Sequence, residues 1–321
     1  MLKLNQPSSP VLNVIAGQNA TLDLNPGPRY HVIDLVATVS KTAATSGFAS
    51  ATLADALGLI NIKVNTVSRR QHTAVELSAI QSRWGSDLAA VAFDNVANDL
   101  VTAAPDVVVS TNTTRTTTFV LSICLAEPSR DQYAVRDGFA WPTAWASGRR
   151  ASVQLEISIP NNSGITAPVV RAMETIDYVL GSKNSQGQDV MPITHWYRQP
   201  ETYAGTNIAI RKWPFTGVIQ QMSIFTQESD YIGLYEVKGD NQTKARNSKI
   251  GAEQLFNKYG WNSAAVAAGR FDLAFDFTDN PLDSLDTTQF GVFELDVTLK
   301  AAAATNKTLL IISQVYRDAL N

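Results

Sequence analysis

Apolar residues along this chain fall mostly in short alternating runs. Val153, Leu155, Ile157 and Ile159 alternate with polar residues in SVQLEISI, as Phe293, Leu295, Val297 and Leu299 do in FELDVTL. This is the period of strands with one buried face. Each run is followed by a turn segment and one last apolar stretch, APVVRAMETIDYVL in the first case and TLLIISQVY in the second. YHVIDLVATVS (30–40) likewise resembles TGVIQQMSIFT (216–226). Two segments break the alternation. In HTAVELSAIQSRWG (72–85), Thr73 is placed to cap a helix, Glu76 to complete a capping box and Gly85 to end the helix. Leu77, Ile80 and Trp84 then share one helical face. NSKIGAEQLFNKYG (247–260) has nearly the same shape.

A shift of 175 residues superimposes the two helical segments and the strand before each. Ile60 falls on Tyr235, Ile62 on Val237 and Lys63 on Lys238; Arg69 meets Lys244, Thr73 meets Ser248 and Ile80 meets Leu255. Arg83, Trp84 and Gly85 meet Lys258, Tyr259 and Gly260. The common pattern is strand, turn, capped helix, then basic–aromatic–Gly. Two tandem β-sandwiches of one topology account for it, and eight-stranded jelly rolls avoid an exposed flat edge. The pattern thus predicts an all-β chain of two jelly rolls, each with a short inserted helix capping an open end. The expected divisions are an N-terminal arm (1–15), a first jelly roll (16–185), a linker (186–206) and a second jelly roll (207–321). The linker is expected because 181–206 is rich in Gly, Gln and Asn and bracketed by prolines.

At 321 residues, two domains of this size each bury a core. Only 17% of residues are charged and the net charge is −3, which gives no global attraction to nucleic acid or an anionic membrane. No apolar run reaches the roughly 18–20 residues that span a bilayer. The N-terminus, with Lys3, Pro10 and no continuous apolar stretch, is a poor signal peptide. The lone cysteine, Cys124, excludes an internal disulfide framework and is expected as a small buried hydrophobe.

Candidate chemistry is sparse. His31, His72 and His195 form no HxH or HExxH pattern, and no CxxC, GxSxG or Walker loop occurs. They are expected as surface or packing residues, and no catalytic residue is assigned. Asp276, Asp279, Asp283 and Asp286 in DFTDNPLDSLD form an oxygen-rich, turn-rich segment of the kind that suits Ca²⁺, although acidic turn residues also simply cap turns. FAWPTAW places Trp141 and Trp145 four residues apart beside GRR (148–150). Exposed, these tryptophans would stack on sugar rings; buried, with Trp213, they would anchor a subunit or domain contact. Trp84 and Tyr259 are expected to plug equivalent sandwich ends.

On INIKVNTVSRRQHTAVELSAIQSRWG (60–85), YEVKGDNQTKARNSKIGAEQLFNKYG (235–260) and RRASVQLEISI (149–159), the chain resembles the double jelly-roll major capsid proteins of icosahedral, membrane-containing bacteriophages. Its short N-terminal arm is nearer the corticovirus type than the tectivirus type. The resemblance implies a homotrimer whose six jelly rolls form a pseudo-hexagonal tile of a shell over an internal membrane. It implies a virion location after assembly in host cytoplasm. The implied partners are neighbouring capsomers and the minor capsid, penton and membrane proteins, with no sequence-specific nucleic-acid binding. Bound calcium occurs in parts of that family, while no catalytic residue or required cofactor is implied. Two other classes compete: a tandem-sandwich carbohydrate binder or glycan-acting enzyme using Trp141, Trp145, Trp196 and an acidic pair, and a trimeric phage receptor-binding or spike protein.

Overall fold

A computed structural model describes residues 3–42, 51–84, 88–95, 114–126, 140–226, 232–258, 270–275 and 284–320. The first half contains β1 (Leu4–Pro7), β2 (Asn19–Leu24), β3 (Arg29–Thr42), α1 (Leu53–Ala56), β4 (Leu59–Val64) and β5 (Val67–Thr73). It continues through α2 (Ala74–Gln81), β6 (Val91–Asn95), β7 (Thr114–Cys124), β8 (Trp141–Pro142), β9 (Val153–Ser158) and β10 (Ile165–Asp177). One sheet is ordered β1-β10-β3-β7-β6, with β8 paired to β3; the facing one runs β2-β9-β4-β5.

A short ribbon, β11 (Ser182–Lys183) and β12 (Asp189–Val190), leads into the second half. There follow β13 (Pro192–Ile210), β14 (Val218–Thr226), β15 (Ile232–Gly239), β16 (Gln242–Ser248), α3 (Lys249–Lys258), β17 (Arg270–Ala274), β18 (Leu285–Asp286) and β19 (Phe293–Asp318). β13 and β19 each serve two sheets, because their pairing is interrupted between Tyr203 and Asn207. The C-terminal half of β19 carries β14 and then β17, while its N-terminal half carries β15 and then β16. The resulting orders, β13-β19-β14-β17 and β13-β19-β15-β16, reproduce β1-β10-β3-β7 and β2-β9-β4-β5. β13 does the work of β1 and β2 together, and β19 that of β9 and β10.

The duplication holds to the residue in the strand–turn–strand–helix unit. Leu59 faces Thr73 and Leu234 faces Ser248, and both hairpins are irregular at the same step, Ile62/Lys63 and Val237/Lys238. The turns Asn65–Thr66 (φ 48° and 70°) and Asp240–Asn241 (φ 51° and 63°) both use two positive-φ residues, which suits the right-handed twist of a two-residue hairpin. Lys63 pairs with Glu156, and its counterpart Lys238 with Asp296. Ser68 Oγ bonds Asn61 Oδ1, and Thr243 bonds Glu236 in the same place.

Both helices start alike. Thr73 Oγ1 accepts from the Glu76 amide, and Ser248 Oγ from the Gly251 amide, each at 3.1 Å. Glu76 returns a carboxylate to the Thr73 amide at 2.7 Å, completing the predicted box. Gly251 has no side chain to return, and a Cβ there would lie 2.0 Å from Asn247 Oδ1. A cap of this kind contributes about 1 kcal/mol.

The alternating runs point inward as predicted. Leu22, Leu35, Ile62 and Leu155 lie in one core, and Ile219, Val237, Leu295 and Val315 in the other. Each fully buried aliphatic side chain contributes roughly 1.5–3 kcal/mol. The expected linker is a correction. Residues 192–206 belong to β13, which lies between β19 and β5. The first part of this strand, through Trp196, is buried against the other sandwich, while Pro200, Thr202, Ala204 and Thr206 are exposed. Trp196 of β13 and Ile312 of β19 accordingly pack into the first core, not the second.

Candidate functional site: the junction between the sandwiches

The described residues bring chemistry together at one place, where α2 meets the outward face of the second half's β13-β19-β14-β17 sheet. In RFDLA (270–274), the period of two sends Phe271 and Leu273 into the core and Arg270 and Asp272 out towards α2. Arg83, just beyond α2, is fully buried and reaches two acids of the second half, Asp272 and Glu253. Its Nε and Nη2 donate to Asp272 Oδ2 at 3.0 and 2.8 Å, and Nη1 and Nη2 donate to Glu253 of α3 at 2.8 and 3.0 Å. Arg270 Nε donates to Asp272 Oδ1 at 3.0 Å, and Ser223 Oγ donates to the same oxygen at 2.6 Å. Arg270 Nη2 also reaches the Ile80 carbonyl at 3.5 Å. Burial opposes the charge on Asp272, but Arg270 and Arg83 hold its carboxyl below the ordinary range. A further ion pair closes the flank, Arg198 of β13 to Glu76 of α2 at 3.1–3.2 Å.

Arg70 makes the second bridge. It pairs with Trp196 across the one parallel step between β5 and β13. Its Nε donates to the Thr194 carbonyl at 3.0 Å, its Nη1 to the Cys124 carbonyl at 2.6 Å. The guanidinium lies 5.0 Å from the Trp141 ring centroid and 5.3 Å from that of Trp196, a desolvated cation–π arrangement. His72 and Trp84 both pack edge-on against Trp196, at 5.2 and 6.3 Å. Burial, with Arg70 adding repulsion, lowers the His72 pKa to about 3; burial and then Arg69 do the same to His195. Both imidazoles are therefore neutral packing groups at neutral pH.

The other anticipated residues are dispersed. Trp84 is half-buried against the first core rather than a sealed plug, and Tyr259 lies outside the described residues. Trp141 and Trp145 are buried inside the single chain, Trp145 donating Nε1 to the Val190 carbonyl at 3.1 Å. They are therefore internal anchors, not subunit contacts or sugar platforms. Trp213 is half-buried over the second core and donates to the Phe293 carbonyl at 3.0 Å. His31 is buried and bonded to Asp177 at 2.9 Å, so all three histidines are packing residues. Cys124, the lone cysteine, is buried.

Of the acidic segment, Asp276, Asp279 and Asp283 lie outside the described residues. Asp286 caps the turn that follows it: Oδ1 accepts from the Thr288 amide and hydroxyl at 2.9 and 2.7 Å, and Oδ2 from Gln289 at 3.3 Å. The Thr288 bonds lower its pKa. Among the described residues no group of three or more His, Cys, Asp or Glu side chains is placed to hold a metal. Nor is any described helix long and apolar enough to cross a membrane.

Sequence reasoning missed the Arg83–Asp272–Arg270–Glu253 cluster. The one local signal was RFDLA, where alternation puts two charges on a face of an otherwise apolar strand.

No family model matches the sequence, and no curated protein matches it. The whole fold does have solved counterparts. It superposes on the major capsid protein of bacteriophage PM2 with a TM-score of 0.66 at 12% identity, covering 98% of both chains. The chain has the fold of the double jelly-roll capsid proteins. The STIV MCP, from Sulfolobus turreted icosahedral virus, gives a TM-score of 0.65 at 12% identity over 98% of this chain and 97% of that one. The Faustovirus major capsid protein gives 0.59 at 8% identity over 98% and 90%. The junction just described is what joins the two jelly rolls of this chain.

Proposed function

We propose that the chain is a major capsid protein, a structural and non-enzymatic component of a bacteriophage virion. Three copies form a pseudo-hexagonal homotrimer, and the trimers tile an icosahedral shell over an internal membrane. One observation carries this reading: the likeness to the PM2 capsid protein runs the full length of both chains, through both sandwiches. The residue-level duplication supports it, since a shell of near-identical contacts needs near-identical units. Its partners are further copies of itself, neighbouring capsomers, and the minor capsid, penton and membrane proteins of the particle. A carbohydrate-binding reading built on Trp141, Trp145 and Trp196 loses its platform, because all three side chains are buried. Negative-stain images of the purified protein test the proposal. Threefold particles with six lobes are expected; separate two-lobed particles overturn it.

No cofactor is required by this proposal. Calcium at the Asp276–Asp286 segment remains its optional element, and its removal gives a plain result. A site filled at about 100 times its dissociation constant adds about 2.7 kcal/mol to stability. A chelator therefore lowers the melting temperature if the segment holds the ion. An unchanged melting temperature leaves the aspartates as turn caps, as Asp286 already is.

A further inference from the structure

The two helices are equivalent in sequence and placement, yet matching positions on them differ in exposure. On α2 the flank made by Glu76, Ile80 and Arg83 is spent within the chain. Glu76 meets Arg198, the Ile80 carbonyl meets Arg270, Arg83 meets Asp272, and the Ile80 side chain is fully buried. On α3 the equivalent flank is centred on Leu255, whose side chain is 37% exposed. Glu253, on the opposite flank of α3, is the residue that faces the first sandwich through Arg83. The Leu255 flank therefore points away from the junction.

The sheets show the complementary asymmetry. The surface that α2 covers is the outward face of β13-β19-β14-β17. Its counterpart, the outward face of β1-β10-β3-β7-β6, keeps Val91, Phe93, Val169 and Met173 exposed. That face carries apolar residues set among Thr and Ser, with the exposed Arg171 in the row of Val36 and Asp34 in the row of Met173. Val91 pairs with Val120 and Val120 with Val36, and the next row sets Phe93 beside Thr118, Thr38 and Val169. Phe93 is 54% exposed with Val91 near it on β6, and Val169 and Met173 are exposed on β10, three strands across the sheet. The outward hydroxyls are paired with each other, Thr38 with Thr118 and Ser40 with Thr116, both at 2.9 Å. At one end Val36, Val169 and Met173 join the N-terminal arm in lining a groove of about 710 Å³. Four exposed large apolar residues on one sheet face, bridged by Val120 and Val36, are the kind of feature that marks an interaction surface.

We propose that this face receives the Leu255 flank of α3 from a second copy of the chain, in the orientation that α2 takes within the chain. The occupant follows from the repeat: α2 docks on the equivalent sheet face within the chain, and its twin α3 keeps Leu255 exposed at the matching position. Such a contact is heterologous, one surface meeting a different one, so it repeats from copy to copy until a ring closes. Within the chain the contact is ionic and permanent. Between chains it is apolar, which avoids the exacting geometry a buried ion pair requires. The inference rests on the trimeric reading and names the surfaces that make it.

Leu255→Glu and Phe93→Glu test it, with Ile250→Glu as control, since Ile250 is 72% exposed on the outer side of α3. By native mass spectrometry the wild type and the control are expected as trimers, and the two test variants as folded monomers. In parallel, a maleimide should label Leu255→Cys more slowly at concentrations that hold the trimer than after dilution to monomer, while Ile250→Cys labels alike in both; the native Cys124 is buried. This second readout stands even if a charged variant does not fold. Test variants that remain trimeric, or equal Leu255→Cys labelling rates in the two states, overturn the surface assignment while leaving the trimer intact. A monomeric wild type overturns the trimeric reading itself.

Discussion

Replacing Arg83 with methionine is expected to destabilise the protein by about 3 kcal/mol, the lower end of the cost of breaking a buried ion pair. Methionine keeps much of the packing against Phe256, over whose ring the guanidinium sits at 4.4 Å. What is lost is the charge between Asp272 and Glu253. Asp272 is fully buried, so its carboxylate is left with Arg270 and Ser223 alone. Glu253 retains some access to water, which keeps the cost from the upper end of the range. Pairing Arg83→Met with Asp272→Leu does not relieve the strain, because Arg270 then loses its only described carboxylate partner. Urea melts check this. An Arg83→Met midpoint within about 0.5 kcal/mol of wild type, the usual range for surface changes, would show that the ion cluster does not hold the sandwiches together.

Mild acid should weaken the fold through His72 and His195. An unfolded imidazole takes up a proton near pH 6.5, whereas each of these does so only near pH 3. Between those values the unfolded chain binds more protons than the folded one, so stability falls as pH falls. Each histidine loses about 1.4 kcal/mol per pH unit in that window. Two of them over about two units reach the lower end of a typical domain's stability, roughly 5–15 kcal/mol. Below that window a second group adds to the loss. Burial disfavours the Asp177 carboxylate, but Arg29 and then His31 hold its pKa at about 2. Its contribution is present above the ordinary carboxylate range and is lost as pH falls towards 2. The check is a urea midpoint at about pH 7 and about pH 4.5. A marked fall is expected in the wild type and a smaller one in His72→Phe, which cannot take up the proton. Equal midpoints at the two pH values would mean that the histidines are not held neutral by burial.

The sequence disclosed what is local. The β4–turn–β5–α2 unit and its twin are contiguous, so strand period, positive-φ turn and cap all lie within one short window. Their alignment therefore survives to the shared irregularity at Lys63 and Lys238. What it concealed is long-range. Residues 192–206 look like a linker because no local period betrays a strand, and their partner, Lys307–Asp318, is about a hundred residues away. Arg83 was visible only as the basic member of a basic–aromatic–Gly pattern, with its acids 170 and 189 residues distant. Trp141 and Trp145 illustrate a different limit. Whether an aromatic lies inside or outside depends on what the rest of the chain lays over it. Here Arg70 covers Trp141 and the Gly181 backbone lies against Trp145.

The central claim is that two equivalent sandwiches per chain assemble, three chains at a time, into a closed ring of six. Native mass spectrometry of the purified protein at micromolar concentration tests it most directly. One dominant species of three times 34.8 kDa is expected. A stable species of 34.8 kDa under the same conditions would contradict it.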